Sequence, residues 1–257
     1  MKIGISKHLG AVTLIPAVLG LLAACATTMR ADLVEHHRSS ECVVLLHGLN
    51  RSWRTMGKLA ESLQEDGFST ANIDYPSSTE AIEVLAPKVV NEGLRQCRQI
   101  GATQIHFVTH SLGGILLRYA YEQEPIPDLG RVVMLGPPNH GSEVIDKARN
   151  WPGATMLTGI AGLQLGTDEA SIPSQLGPVD FELGVIAGTG SNNPMMSMML
   201  PDEDDGKVTV VSTQVEGMDD FKIVTDSHYL MMKSVDVIAD IKQFLRTGSF
   251  QDVAATE

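Results

Sequence analysis

The stretch Val108-Thr109-His110-Ser111-Leu112-Gly113-Gly114 constrains this chain more than any other. Just before it, Gln104-Ile105-His106-Phe107-Val108 has the length and β-branched content of a buried strand, and Ile115-Leu116-Leu117-Arg118-Tyr119-Ala120 continues it as a helix. Ser111 sits at the hinge. A strand that turns sharply into a helix holds one residue in a strained backbone conformation, and small neighbours at Thr109 and Gly113 let the two elements close without a clash. The pattern is G-x-S-x-G with Thr109 at the first glycine. Such a turn presents a hydroxyl nucleophile.

A second buried strand is legible upstream, where Cys42-Val43-Val44-Leu45-Leu46 runs into His47-Gly48-Leu49-Asn50. The loop reads as an oxyanion loop. A carbonyl attacked by Ser111 becomes an oxyanion, and fixed backbone N–H groups stabilise it without reorganising during the reaction. The expected donors are the amides of Leu49 and Leu112.

Three segments resemble the α/β-hydrolase superfamily, in its bacterial lipase and esterase branch. They are Val43 to Leu49, Val108 to Gly114, and Leu135-Gly136-Pro137-Pro138-Asn139-His140-Gly141-Ser142, the last similar to the T-P-N-H-G-S run of such lipases. The resemblance spans about residues 41 to 246. It implies an α/β fold with a mostly parallel central sheet, helices on both faces and a lid segment. It also implies a serine hydrolase acting on small-molecule or lipid esters through an acyl-enzyme intermediate. An acyltransferase or thioesterase on the same machinery is the alternative, and a non-catalytic envelope binding protein a more remote one.

This fold presents its catalytic groups in the order Ser, Asp or Glu, His. Of the eight histidines, only His228 follows the late acidic loop, and it closes the short strand Phe221 to Ser227 just before a final helix. His228 is therefore the expected base. His36 and His37 precede the core, and His110, adjacent to Ser111, is expected to point away from it. Ser142 beside His140 is read as part of the pocket wall, because adjacent residues make no dyad. Pro201-Asp202-Glu203-Asp204-Asp205-Gly206 offers four carboxylates for the acid. Asp205 is chosen because it precedes Gly206 and the apolar run Val208 to Val211, similar to the D-G-x-V setting of the resembling lipases. Asp204 is the second candidate and Asp226 the third. There is no Cys/His cluster at zinc spacing, no phosphate-binding glycine loop and no EF-hand pattern, so no cofactor and no metal are expected.

The first 24 residues read as a signal peptide: Lys2 and Lys7 precede an apolar stretch from Leu9 to Ala24 that is short for a spanning helix. Leu22-Ala23-Ala24-Cys25 resembles the bacterial lipobox, which makes Cys25 the lipidated first residue of the mature protein. An ordinary secretory signal is the alternative. Ala26, and not Asp, follows the cysteine, which in such lipoproteins implies the outer membrane, here facing the periplasm. The net charge is −12 at pH 7, and removing residues 1–24 takes away Lys2 and Lys7 but no acid. That argues against nucleic acid and against electrostatic adhesion to anionic lipid, so membrane contact is expected through the N-terminal anchor alone. Residues 25–40 read as a polar tether and residues 41–257 as a single α/β-hydrolase domain.

Within that domain the expected alternation is strand 41–47, helix 53–66, strand 69–75, helix 79–99, strand 104–109, helix 112–122 and strand 131–136. A last helix follows Ser234, with Val237, Ile238, Ile241 and Leu245 on one face. In the resembling fold the first core strand and the strand carrying Ser111 are neighbours, which brings Cys42 and Cys97 to one edge of the sheet. A disulfide between them is expected, with two buried thiols as the alternative. Between His140 and Phe181, the residues Met156, Leu157, Ile160, Leu163 and Leu165 form either a lid or acyl-binding wall, or an ordinary crossover helix and loop. Met195, Met196, Met198, Met199 and Leu200 are expected to pack in the core, with an adaptable acyl-binding surface as the alternative.

Overall fold

A computed structural model of the protein describes Met1 and residues 29–35, 40–191 and 194–250. The segment expected to be a signal peptide, after Met1, and Cys25 lie outside the described residues. Seven strands form one sheet: β1 (Arg30–Val34), β2 (Glu41–Leu46), β3 (Ser69–Asp74), β4 (Gln104–His110), β5 (Leu129–Leu135), β6 (Leu183–Gly190) and β7 (Asp220–Ser227). Their order is β1-β3-β2-β4-β5-β6-β7, with β1 antiparallel to β3 and every other pairing parallel. The helices are α1 (Gly57–Glu65), α2 (Ile82–Gln99), α3 (Leu112–Gln123), α4 (Glu143–Ala148), α5 (Ala154–Leu163), α6 (Ile172–Gln175), α7 (Pro194–Ser197), α8 (Val210–Thr213) and α9 (Val235–Thr247).

The continuous apolar run of β2 follows from burial on both sides. Side chains alternate between faces, so Val44 and Leu46 join a core with Leu85 and Val89 of α2 and Leu116 of α3, whereas Val43 and Leu45 join one with Leu59 and Leu63 of α1 and Ile241 and Phe244 of α9. The expected strands and helices of residues 41–136 are all present, with ends shifted by a few residues; the first helix opens as a 3-10 turn over Trp53–Met56. The last helix begins after Ser234 and ends at Gly248 in the left-handed conformation.

Residues 25–40 are not wholly a tether. Arg30–Val34 pairs along β3 as the edge strand of the sheet, and its burial alternates, with Ala31 and Leu33 turned toward the core. An edge strand needs only one weakly apolar face, and two inward apolar residues, Ala31 and Leu33, do not announce it. Cys42 and Cys97 are joined in a disulfide, Cα to Cα 5.7 Å, linking the start of β2 to the end of α2. Closing a ring of that length, 55 residues apart in sequence, restricts the unfolded chain by about 4 kcal/mol in the chain-entropy description. The methionine-rich group departs from expectation in part: Met195 and Met198 are exposed and Met196 lines a cavity, whereas Leu200 is buried. Among the described residues no helix is long and apolar enough to cross a membrane.

Candidate active site

Ser111 occupies the single residue between β4 and α3, at φ 54° and ψ −120°. Only one other non-glycine among the described residues, Asn50, has a positive φ. The turn is held from both sides. Ser111 N–H donates to the Leu135 carbonyl at 2.9 Å, and a Cβ at Gly113 would come within 2.7 Å of the Leu46 carbonyl oxygen, so the helix can approach β2 only as glycine.

His228 directly follows β7, and its Nδ1 lies 2.6 Å from Asp205 Oδ2. Both residues are buried. Asp205 is itself fixed: its Oδ1 accepts from the amides of Lys207 and Val208 at 3.0 and 2.9 Å, and its carbonyl accepts from the His228 amide at 2.9 Å. Asp204 is turned to other work, accepting from the Gly206 amide at 2.7 Å and the Ser197 hydroxyl at 2.6 Å. Asp226 lies on β7, and among the described residues no hydrogen bond joins it to His228.

Ser111 and His228 line one cavity of about 280 Å³, together with Leu49 of the β2 loop. Its far side is apolar, built by Val144, Ile145, Ala148, Trp151, Leu157 and Leu165. Leu112 opens α3 beside Ser111, and among the described residues neither its amide nor that of Leu49 donates to another protein group. Within the stretch 140–181, Leu165 is buried and lines the cavity, Leu157 lines it while remaining largely exposed, and Met156 and Ile160 are exposed. Helix α5 is kinked at Gly159 and pinned there, since Ile160 N–H donates to the Ser78 carbonyl at 2.9 Å and Asn50 Nδ2 donates to the Leu157 carbonyl at 3.0 Å. Ser142 also lines the cavity, its hydroxyl donating to the Lys207 carbonyl at 2.7 Å.

Two contributors escape sequence reasoning. His110 does not simply point away: its ring packs against His228, centroids 4.6 Å apart, and its Nε2 lies 2.8 Å from the His228 carbonyl. A carbonyl only accepts, so Nε2 carries the proton. Burial first, and then the His228 ring, hold the His110 imidazole well below the usual histidine range, so the ring is neutral. Gly136, after β5, has φ 52°, and a Cβ there would meet Asp205 Oδ2 at 2.9 Å and His228 Nδ1 at 3.1 Å. A side chain at that position would press on the acid–histidine pair. Its sequence signal is only the glycine in Leu135-Gly136-Pro137.

His47 shapes the loop that carries Leu49. Burial pushes it down to about 4, against the opposing influence of the Gly48 carbonyl and the Asp74 carboxylate. Neutral His47 donates from Nδ1 to the Gly48 carbonyl at 2.9 Å and accepts at Nε2 from the Tyr75 amide at 3.4 Å. The 3.7 Å approach of Nε2 to Asp74 is therefore no ion pair. Tyr75 stacks on the ring, centroids 4.0 Å apart, and its hydroxyl donates to the His47 carbonyl. In the unfolded chain His47 takes up its proton near pH 6.5, while in the folded protein it resists to about 4. The unfolded state thus binds more protons between those values, and this contribution, full above pH 6.5, is lost as pH falls toward 4. The shift is worth about 3 kcal/mol. Denaturant unfolding of His47→Gln is expected to show a smaller loss of stability between neutral and mildly acid pH than the unaltered protein; equal losses would refute the assignment.

Ser111, in its strained strand-to-helix turn, thus shares a cavity with a histidine bonded to a buried aspartate. The sequence model described as the alpha/beta hydrolase family matches residues 43–234. Among solved structures, the mature lipase BlEst2 of Bacillus licheniformis is similar at 23% identity and a TM-score of 0.69, covering 87% of this chain and 98% of that one. Lipase B of Aspergillus fumigatus follows at 14% identity and a TM-score of 0.62, over 82% of this chain and 54% of that one. A monoacylglycerol lipase of Paleococcus ferrophilus gives 17% identity and a TM-score of 0.57, over 86% of this chain and 100% of that one. No curated protein sequence matches. With the family's model covering β2 through the end of the sheet, and the same architecture in these structures, the chain belongs to the alpha/beta hydrolase family.

Proposed function

We propose that the protein is a serine hydrolase of carboxylic esters, with Ser111 as nucleophile, His228 as general base and Asp205 as its orienting acid. One observation carries the reading: Ser111, at φ 54°, shares a cavity with His228, whose Nδ1 is held 2.6 Å from Asp205 Oδ2. With Nδ1–H donating to Asp205, the lone pair of His228 is on Nε2, the atom that must accept a proton. Ser111 Oγ bonds to the ester carbonyl carbon as its proton passes to Nε2. The carbonyl oxygen becomes an oxyanion, received by the amides of Leu49 and Leu112. Collapse breaks the ester C–O bond, and the departing alcohol takes the proton from Nε2. Water then repeats the sequence on the acyl-enzyme, releasing the acid and restoring Ser111. The apolar wall from Val144 to Leu165 suits an acyl chain.

The test is hydrolysis of p-nitrophenyl esters from acetate to palmitate by the purified protein. Turnover is expected, with a chain-length optimum set by the apolar wall. Acyl transfer to an added alcohol in preference to water would reassign the reaction to an acyltransferase, and no turnover across the series would overturn the reading.

For the N-terminus we propose cleavage before Cys25, lipidation of that cysteine and an outer-membrane anchor facing the periplasm. The support is the run Leu22-Ala23-Ala24-Cys25 followed by Ala26. Globomycin-sensitive processing in a bacterial host is expected; an unlipidated mature protein would end the proposal.

A further inference from the structure

The cavity that holds Ser111 carries an excess of positive charge at odds with the rest of the chain. Arg51 and Lys207 both line it, and among the described residues no aspartate or glutamate does. The protein as a whole has a net charge of −12. Among the described residues neither cation has a carboxylate within ion-pair distance. The nearby acids are committed or face elsewhere: Asp205 is bonded to His228, Asp204 to Ser197 and Gly206, and Asp202 and Glu203 are exposed and outside the cavity lining.

Arg51 is also positioned. It follows Asn50, whose φ of 54° turns the chain over the cavity and whose amide donates to the Ser77 hydroxyl at 2.9 Å. Arg51 N–H closes the turn on the Gly48 carbonyl at 3.3 Å. The guanidinium then lies over the ring of Tyr229, 4.3 Å from its centroid. Among the described residues no hydrogen bond occupies its N–H edge, a planar fork matched to two oxygens of a phosphate or carboxylate. Its charge is felt at the reacting end of the cavity: behind burial and the His228 ring, Arg51 adds to the influences that depress His110, the neighbour of Ser111.

From this we infer that the cavity selects acyl esters that bear an anionic group, a phosphate or carboxylate, held by Arg51 with Lys207 adding charge, while the acyl chain lies along the apolar wall. The inference rests on the ester-hydrolase reading and names its substrate class. A long-range field that is net repulsive to anions makes a local pair of cations the means of accepting one.

The experiment compares two soluble esters with the same acyl group, 1-butyrylglycerol-3-phosphate and glycerol monobutyrate, followed by pH-stat titration. The expected ratio of kcat/KM favours the phosphate ester by about tenfold, the scale of one charge-assisted hydrogen-bonded contact, and declines as salt is raised. Arg51→Gln is expected to bring the ratio close to one, and Arg51→Lys to restore part of it. An unchanged ratio in Arg51→Gln, or a preference for the neutral ester in the unaltered protein, overturns the inference while leaving the hydrolase reading intact. Cleavage of neither ester counts against the hydrolase reading itself. Calorimetry of both compounds with Ser111→Ala then still decides the question of charge, since tighter binding of the phosphate ester, lost on adding Arg51→Gln, supports it and equal binding refutes it. A third substrate, 1-palmitoylglycerol-3-phosphate in phosphatidylcholine vesicles, identifies the source of the anion. Faster turnover than on the butyryl compound assigns it to a lipid headgroup, and slower turnover to a soluble ester.

Discussion

Ser111→Ala is expected to lower ester turnover by roughly 10⁵-fold or more while leaving the fold in place. Alanine keeps the Cβ, so the packing of the turn against β2 and β5 is retained and only the atom that forms the acyl bond is lost. What remains is catalysis by the oxyanion donors and by binding alone. The measurement is single-turnover hydrolysis of the preferred p-nitrophenyl ester, with circular dichroism and thermal unfolding to show that the variant is native. Retention of more than a few per cent of turnover would take the nucleophile's role from Ser111 and leave the strained turn without its proposed purpose.

The second large effect belongs to the acid. Asp205→Asn is expected to reduce kcat by about 10⁴-fold with little change in substrate affinity. The reason lies in the hydrogen bonds around it. Oδ1 accepts from two amides, those of Lys207 and Val208, so an asparagine must place its carbonyl there and turn its NH₂ toward His228. His228 Nδ1 then has to accept, its proton moves to Nε2, and the base can no longer take the proton of Ser111. Asp204→Asn is the paired control. Its carboxylate serves Ser197 and Gly206, and its loss is expected to cost about tenfold or less, in the range of lost hydrogen bonds in a partly exposed loop. A crippled Asp204→Asn beside an active Asp205→Asn would exchange the two assignments.

The elements buried on both faces were legible because their composition has no other solution. Runs such as Val43-Val44-Leu45-Leu46 and Ile105-His106-Phe107-Val108 cannot be left in water, and helices of matching period stand on either side to cover them. The order Ser, Asp, His likewise left His228 as the one suitably placed base, and the structure brings its ring to Asp205 and to the cavity of Ser111. What escaped reading is of two kinds. Arg30–Val34 escaped because an edge strand buries only one side of a short segment. His110 and Gly136 escaped because their partners are remote in sequence. The His110 contact with the His228 carbonyl joins residues 118 positions apart, and the close approach of Gly136 to Asp205 and His228 exists only once three separate loops meet. No local pattern encodes such meetings. The exposed methionines belong to the first kind, since composition records that they are apolar and not which surface they cover.

The Cys42–Cys97 bond also determines what a protease can do to this protein. The covalent ring it closes contains β2 from Cys42 onward, the loop with Leu49 and Arg51, α1, β3 and nearly all of α2, while Ser111, Asp205 and His228 lie outside it. A single cut in a surface loop within the ring, for instance between β3 and α2, therefore releases nothing. The two pieces stay linked by sulfur and by the β2–β4 pairing, and the nicked chain runs as one species until it is reduced. In a compartment rich in proteases, the half of the site contributed by the β2 loop survives a broken backbone, whereas a cut beyond residue 97 has no such covalent protection.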